Sequence, residues 1–140
     1  MEATVRIVHL LAAGVWLRGT VALVFAGVPA IRTLQGEERG RAMRELGRRW
    51  RPWAWGSMAA LVLSGLWLAD EHGALNRTAL LHTDFGRVVL VKSLLVAVLI
   101  AGALLHDFVL GPRLVAVGWT NFALTVAVPV LGGVLVSMLE

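Results

Sequence analysis

Long apolar runs alternate with short polar segments along this chain. The length of these runs decides whether the chain is surrounded by water or by lipid. Four predominantly apolar runs occupy residues 5–34, 52–69, 85–110 and 119–139. Each is about as long as the roughly 20 residues that a helix needs to cross the hydrocarbon core of a bilayer. A spanning segment must satisfy its own backbone hydrogen bonds, and runs this long are helices rather than barrel strands. The pattern therefore predicts an all-α integral membrane four-helix bundle, forming a single transmembrane domain over residues 1–140.

The segment between the first two runs is strongly basic and has a helical period of its own. Seven arginines lie between residues 32 and 51. Because basic residues in short loops concentrate on the cytoplasmic side, we expect this segment in the cytoplasm and both termini outside. Ala42, Met43, Leu46 and Trp50 recur at spacings of three or four among the charges. That spacing predicts a short interfacial helix on the inner membrane surface, between helices 1 and 2.

Composition supports the membrane assignment and narrows the chemistry. Hydrophobic residues make up 58% of the chain and charged residues 16%, a balance that a soluble domain of this size does not carry. Cysteine is absent, which excludes disulfides, iron–sulfur clusters and thiolate metal sites. The sequence has no nucleic-acid motif, and its excess of arginine suits the anionic headgroups of a lipid bilayer instead.

Candidate chemistry rests on the few polar side chains at membrane depth, since each is costly there unless it is paired, hydrated or used. His9 lies about one turn inside the outer end of the first run, and Lys92 about two turns inside the outer end of the third. At about 1.5 Å per residue, both lie within roughly 10 Å of the same surface. We therefore expect His9 and Lys92 to face the bundle interior and to share one cofactor site.

The outer loop adds imidazoles and carboxylates above that site. His72, His82 and Asp84 belong to it, and together with His9 they form the candidate set of metal ligands, because imidazole and carboxylate suit copper(II) or zinc. Neutral imidazole also suits heme iron. The two loop histidines are ten residues apart and match no compact ligand motif, so ordinary solvated loop residues are the alternative. An imidazole inside an apolar helix, in contrast, needs a partner or a ligand.

His106 is a candidate for a second, inner site. It follows Lys92 by fourteen residues, which brings it to nearly the same helix face but roughly 21 Å further towards the cytoplasm. It therefore cannot share a small site with His9, and it would bind a cofactor at the inner end of the bundle. Mutual pairing with Asp107, or with interfacial water, is the alternative.

Arg18 lies near the middle of the first run, where its side chain does not obviously reach either headgroup layer. Nine residues separate it from His9, or about 180° around the helix, so the two side chains point to opposite sides. If His9 faces the interior, Arg18 needs an acceptor outside the chain: a partner carboxylate, a cofactor propionate or a lipid phosphate drawn inward. This favours a homo-oligomer or a larger membrane complex. In the alternative arrangement, His9 faces outward and Arg18 lines a wet interior.

Five motifs, in this order, resemble those of a known family. They are HLLAAGVWLRG from His9, the triplet Arg48-Arg49-Trp50, LVLSGLW ending at Trp67, FGRVVLVKSLLV from Phe85, and HDFVLGPR from His106. They resemble the copper resistance D family of bacterial membrane proteins. The most specific part is the third helix, where an aromatic-Gly-Arg opening precedes a lysine six residues after Gly86. An early histidine, a tryptophan-rich first helix and a third-helix lysine are also similar to the heme-binding protoporphyrinogen oxidases of bacteria.

These resemblances imply copper handling across the bacterial cytoplasmic membrane or, alternatively, binding of b-type heme for electron transfer or porphyrin oxidation. His9 and Lys92 are the positions of this chain that best match the motifs of these families. Arg18 departs from the copper family, which usually has small residues there. Only Met58 and Met138 lie in the apolar runs, so the stacked thioethers expected of a copper(I) pathway are missing. A third hypothesis is an accessory subunit that has kept the fold within a larger complex. Whether the protein is an enzyme is left open.

Overall fold

The computed structural model is all-α, as the sequence predicts. It describes the backbone of residues 1–105 and 115–137 and, within these ranges, all side chains except 77, 115–119, 121, 131–132 and 134–136. The elements are α1 Glu2–Ala22, a π-helical turn Leu23–Gly27, α2 Val28–Arg32, α3 Gly36–Glu71, α4 Arg77–His82, α5 Asp84–Leu104 and α6 Val115–Ser137. No strand occurs in the described ranges. The chain forms two compact units, Met1–Leu68 and Ala69–Glu140, which are described separately below.

The first apolar run forms a helix with one widened turn. Pro29 has no N–H to donate to the Phe25 carbonyl, and its ring would clash with that carbonyl in a regular α-helix. The chain instead forms the π-helical turn, in which the Val28 N–H donates to the carbonyl of Leu23, five residues earlier. Such a bulge absorbs the proline without ending the helix.

The basic segment is helical, but the expected separate interfacial helix is not confirmed. α3 runs without interruption from Gly36 through the basic segment and the second apolar run, with Pro52 inside it. Pro52 removes one backbone hydrogen bond and crowds the carbonyl four residues earlier, and ion pairs of the i,i+4 type support the helix before it, such as Glu45 with Arg49 at 2.7 Å. At about 1.5 Å per residue, α3 is roughly 54 Å long and extends well beyond a hydrocarbon core of about 30 Å.

Three helices among the described residues are long and apolar enough to cross a membrane: Glu2–Arg32, Gly36–Glu71 and Asp84–Leu104. Large apolar side chains are exposed along them, including Leu10 and Leu63, each at 69%. Lipid tails cover such faces without a cost in free energy, which is typical of membrane helices. The fourth predicted span, 119–139, overlaps α6 and ends outside the described residues, so the count of four spans stays a prediction.

Short capped turns lead from α3 into α4 and from α4 into α5. The chain leaves α3 through Gly73, whose φ of 65° places it in the left-handed region that favours glycine. Asn76 caps α4 by accepting from the Thr78 N–H at 3.0 Å, and Thr83 caps α5 by accepting from the Gly86 N–H at 2.9 Å. α5 packs against α4 and α6. The predicted end of the third helix, at residue 110, lies outside the described residues.

Candidate metal site in the first helix hairpin

Within the first unit, α1 and α3 are antiparallel and approach each other at small residues. The Gly27 Cα lies opposite Leu46, whose Cδ2 would be 3.2 Å from a Cβ placed there. The Trp50 ring occupies the space that a Cβ at Gly19 would need. Ala12 is buried on the same side of α1. Small residues at helix contacts allow close packing where no hydrophobic effect drives association, which is the usual mode in membranes.

His9 lies at this contact and pairs with a serine of α3. Its Nδ1 is 2.8 Å from the Ser64 Oγ, and its Cε1 would be 3.4 Å from a Cβ placed on Gly65. Ser64 is buried, with 6% of its surface exposed, whereas His9 is partly exposed. The hydrogen bond to Ser64 therefore holds the imidazole at Nδ1, and Gly65 leaves room for its ring.

The hydrogen bonds of Ser64 favour one tautomer of the His9 imidazole. The hydroxyl has one proton, which it donates to the Ala60 carbonyl one turn earlier in α3. A hydroxyl that donates to the Ala60 carbonyl accepts at its Oγ from His9, so this pair of bonds favours the tautomer with the N–H on Nδ1. The neutral ring then carries its lone pair on Nε2. The low dielectric of an apolar hairpin strengthens such a bond relative to water.

Lys92 lies on α5, in the second unit. It is half-buried, and the described residues provide no hydrogen-bond or ion-pair partner for its ammonium group. The contact proposed between Lys92 and His9 joins the two separate units and stays a prediction.

The three outer residues of the candidate metal-ligand set are exposed. The His72 ring lies 6.0 Å from the Phe85 ring, centroid to centroid. His82 ends α4, and Asp84 begins α5, 3.4 Å from the guanidinium of Arg87. Within the described part of the chain, no three histidine, aspartate or glutamate side chains are grouped so as to hold one metal ion. A common ligand set formed by these three residues and His9 stays a prediction.

The two remaining candidates are His106 and Arg18. His106 lies outside the described residues. Arg18 is exposed on α1, and the described residues provide no hydrogen-bond or ion-pair partner for its guanidinium. Because His9 faces α3, the half-turn offset predicts that Arg18 lies on the side of α1 away from the hairpin. Its acceptor outside the chain stays a prediction, as does assembly into an oligomer or a larger complex.

The sequence alone does not reveal the roles of Ser64 and Gly86. Ser64 lies in the LVLSGLW motif, seven residues after Ser57 on the same face of α3, but its contact with His9 depends on how the helices pair. Gly86 is buried in the first turn of α5, where a Cβ would overlap the Ala79 carbonyl oxygen and lie 2.7 Å from the Leu80 Cα. The glycine of the aromatic-Gly-Arg opening thus allows the α4 backbone to rest directly on α5.

The comparisons with known proteins identify a family. The family model described as Copper resistance protein D matches residues 44–139. This range is more than half of the chain and includes Lys92, His72 and His82, whereas α1, with His9 and Arg18, precedes it. Searches of curated proteins and of solved structures give no match. Three helices with the length and apolar character of membrane spans agree with such a protein. The chain therefore belongs to the copper resistance protein D family of membrane proteins.

Proposed function

We propose that this protein handles copper and carries it across the bacterial cytoplasmic membrane, with His9 as a copper ligand near the outer end of the path. Family membership supports copper as the cargo, whereas nothing comparable favours heme or a purely accessory role. The observation that carries the proposed site is the hydrogen bond between the His9 Nδ1 and the Ser64 Oγ.

This hydrogen bond suits metal binding for a chemical reason. A histidine that binds a metal through one nitrogen normally donates the N–H of the other to a fixed acceptor, which orients the ring and raises its basicity. Ser64 is such an acceptor because its own proton is used on the Ala60 carbonyl. The Nε2 of His9 is then the ligand nitrogen, and imidazole nitrogen is a good ligand for copper.

The other polar residues take positions along the proposed path. We assign capture of copper at the outer surface to His72, His82 and Asp84, because all three are exposed. Lys92 would share the site of His9, and His106 would act at the inner end. Copper ligands that the cation meets one after another along the path allow it to enter and to leave again, as conduction requires.

Copper flux into proteoliposomes tests the proposal. The purified protein is reconstituted, and copper entry is followed with a dye sealed inside the vesicles, with copper(I) and copper(II) supplied separately. The intact protein should raise the rate well above that of empty vesicles, and His9→Ala should return it close to that background. If copper enters vesicles that hold the intact protein no faster than it enters empty vesicles, transport is refuted. A heme Soret band in the purified protein would favour heme as the cofactor.

The proposed orientation has a test of its own, which is made simple by the absence of cysteine. A cysteine at Gly40, in the basic half of α3, should resist an impermeant thiol reagent in intact cells, because that segment is expected inside. A cysteine at Glu71, the exposed last residue of α3, should react. Labelling at Gly40 with protection at Glu71 would invert the topology.

A further inference from the structure

The net positive charge of the protein is confined to one segment. Seven arginines and three glutamates lie between residues 32 and 51, which gives this segment a net charge of +4, and the six basic and six acidic residues elsewhere cancel. Most of the segment forms the first half of α3, called here the basic half, Gly36–Arg51. A charge excess on the extension of a membrane helix lies next to lipid headgroups.

The guanidinium groups of the basic half are available to an external anion. Arg41, Arg48 and Arg49 form ion pairs with glutamates, but their side chains are 75%, 77% and 78% exposed. Arg48 and Arg49 share a single carboxylate, that of Glu45. Exposed pairs of this kind are weak and leave donors for another acceptor. The described residues provide no ion-pair partner for the guanidinium of Arg44.

Three of these arginines form a stripe along one face. Arg41, Arg44 and Arg48 are spaced by three and four residues, so they lie one above another on α3. They line a groove of about 580 Å³ together with Leu34, Ala42 and two glutamates, Glu38 and Glu45. Leu46, which faces Gly27 of the first helix, lies about 160° from Arg48 around α3. The stripe therefore points away from the hairpin contact, towards the surroundings of the protein.

The pairing of α1 with α3 places Arg18 close to the end of the hairpin that carries the basic half. His9 contacts Ser64, and Gly27 contacts Leu46. Both pairs fit one antiparallel register, in which Arg18 lies level with residue 55 of α3. That level is only three residues, or roughly 5 Å, inside the point where the apolar run of α3 begins at Pro52. Counting along the first apolar run alone puts Arg18 at mid-membrane, whereas the register puts it within one arginine side-chain length of the basic half.

We propose that Arg18 and the arginine stripe of α3 bind the phosphate groups of anionic phospholipids in one leaflet. A lipid is the one occupant that reaches both places, since its phosphate can meet the stripe and also the extended side chain of Arg18. A soluble acidic protein would not reach Arg18 at the edge of the hydrocarbon region. Trp53 is 67% exposed at this boundary, and indole rings prefer the headgroup level. The proposal does not depend on copper transport.

Tryptophan quenching in nanodiscs tests the lipid proposal. Brominated phosphatidylglycerol or brominated phosphatidylcholine is mixed in equal small amounts into a phosphatidylcholine bilayer that holds the full-length protein. Bromine quenches only neighbouring indoles, and Trp50, Trp53 and Trp55 lie at the boundary in question. The intact protein should be quenched at several-fold lower contents of brominated phosphatidylglycerol than of brominated phosphatidylcholine. Equal quenching by the two lipids would refute the proposal.

Three variants test which arginines cause the preference for anionic lipid. Each basic residue near the surface favours anionic lipid by at most about five-fold, so Arg18→Gln should remove part of the preference, and the triple variant of Arg41, Arg44 and Arg48 to glutamine should remove most of it. The control Arg6→Gln removes the same charge near the opposite end of α1, where Arg6 pairs with Glu2, and should keep the preference.

Other outcomes would overturn the proposal in distinguishable ways. A preference that is lost equally in the control would reflect net charge alone. Displacement of the brominated lipid by millimolar inorganic phosphate would identify a site for free anions. If Arg18→Gln keeps the lipid preference but dissociates an oligomer in native electrophoresis, the acceptor of Arg18 is a carboxylate of a partner helix.

Discussion

Replacing Ser64 with alanine is expected to weaken copper binding by about 10- to 100-fold while the hairpin stays folded. This is the usual effect of removing the group that accepts the second imidazole N–H of a metal-binding histidine. Without the Ser64 Oγ, the Nδ1–H loses its acceptor, and the ring is free to rotate or to change tautomer. Titration of the detergent-solubilised protein with a competing copper chelator measures the change, and His9→Ala should abolish binding at this site.

Ser57→Ala is a closely matched control. Ser57 lies seven residues before Ser64 on α3, is also buried, and also donates to the backbone carbonyl one turn earlier, that of Trp53. Ser57 lies on the same face of α3 but has no described contact with a histidine. The two alanine variants should therefore have similar unfolding free energies but different copper affinities. Equal affinities, or a ¹⁵N NMR spectrum that places the His9 proton on Nε2, would contradict the proposed role of Ser64.

Replacing Gly86 with alanine is expected to destabilise the second unit by at least about 2 kcal/mol. The added Cβ would overlap the Ala79 carbonyl oxygen and press on the Leu80 Cα. These are backbone atoms, which cannot rotate away as a side chain can, so α4 must move as a whole. The Thr83 cap would be lost with it, because Thr83 donates to the Ala79 carbonyl and accepts from the Gly86 N–H. Equilibrium unfolding in a denaturing detergent, followed by circular dichroism, measures the loss.

Gly56→Ala provides the comparison for this prediction. Gly56 lies in the middle of α3, and no atom lies within 4 Å of the position that its Cβ would take. Alanine there should be neutral or should stabilise the helix by roughly 0.5–1 kcal/mol, since glycine is the poorer helix former. If both alanine variants unfold at the same detergent fraction, the close packing of α4 on α5 does not limit stability.

The sequence alone predicts the all-α class, because the apolar runs match the bilayer thickness and a bilayer leaves no other local solution for the backbone. Its motifs also indicate the family before any coordinate is known, since LVLSGLW and FGRVVLVKSLLV are local patterns. The boundaries of the helices are less well predicted. The pattern predicts a short interfacial helix separate from the run that begins at Pro52, yet one helix, α3, continues through both, since one proline does not outweigh the helix on both sides.

The site depends on contacts that no local pattern encodes. His9 and Ser64 are 55 residues apart in sequence, and only the antiparallel register of α1 with α3 brings them to 2.8 Å. The same register sets Arg18 level with residue 55 of α3, close to the basic half, which counting along the first apolar run alone does not indicate. The length and apolar character of the runs thus determined which segments are helices and whether they face lipid or water. Tertiary packing decided which polar side chains meet. That outcome depends on how far one helix is shifted along its neighbour, and the periodicity of a single helix carries no information about such a shift.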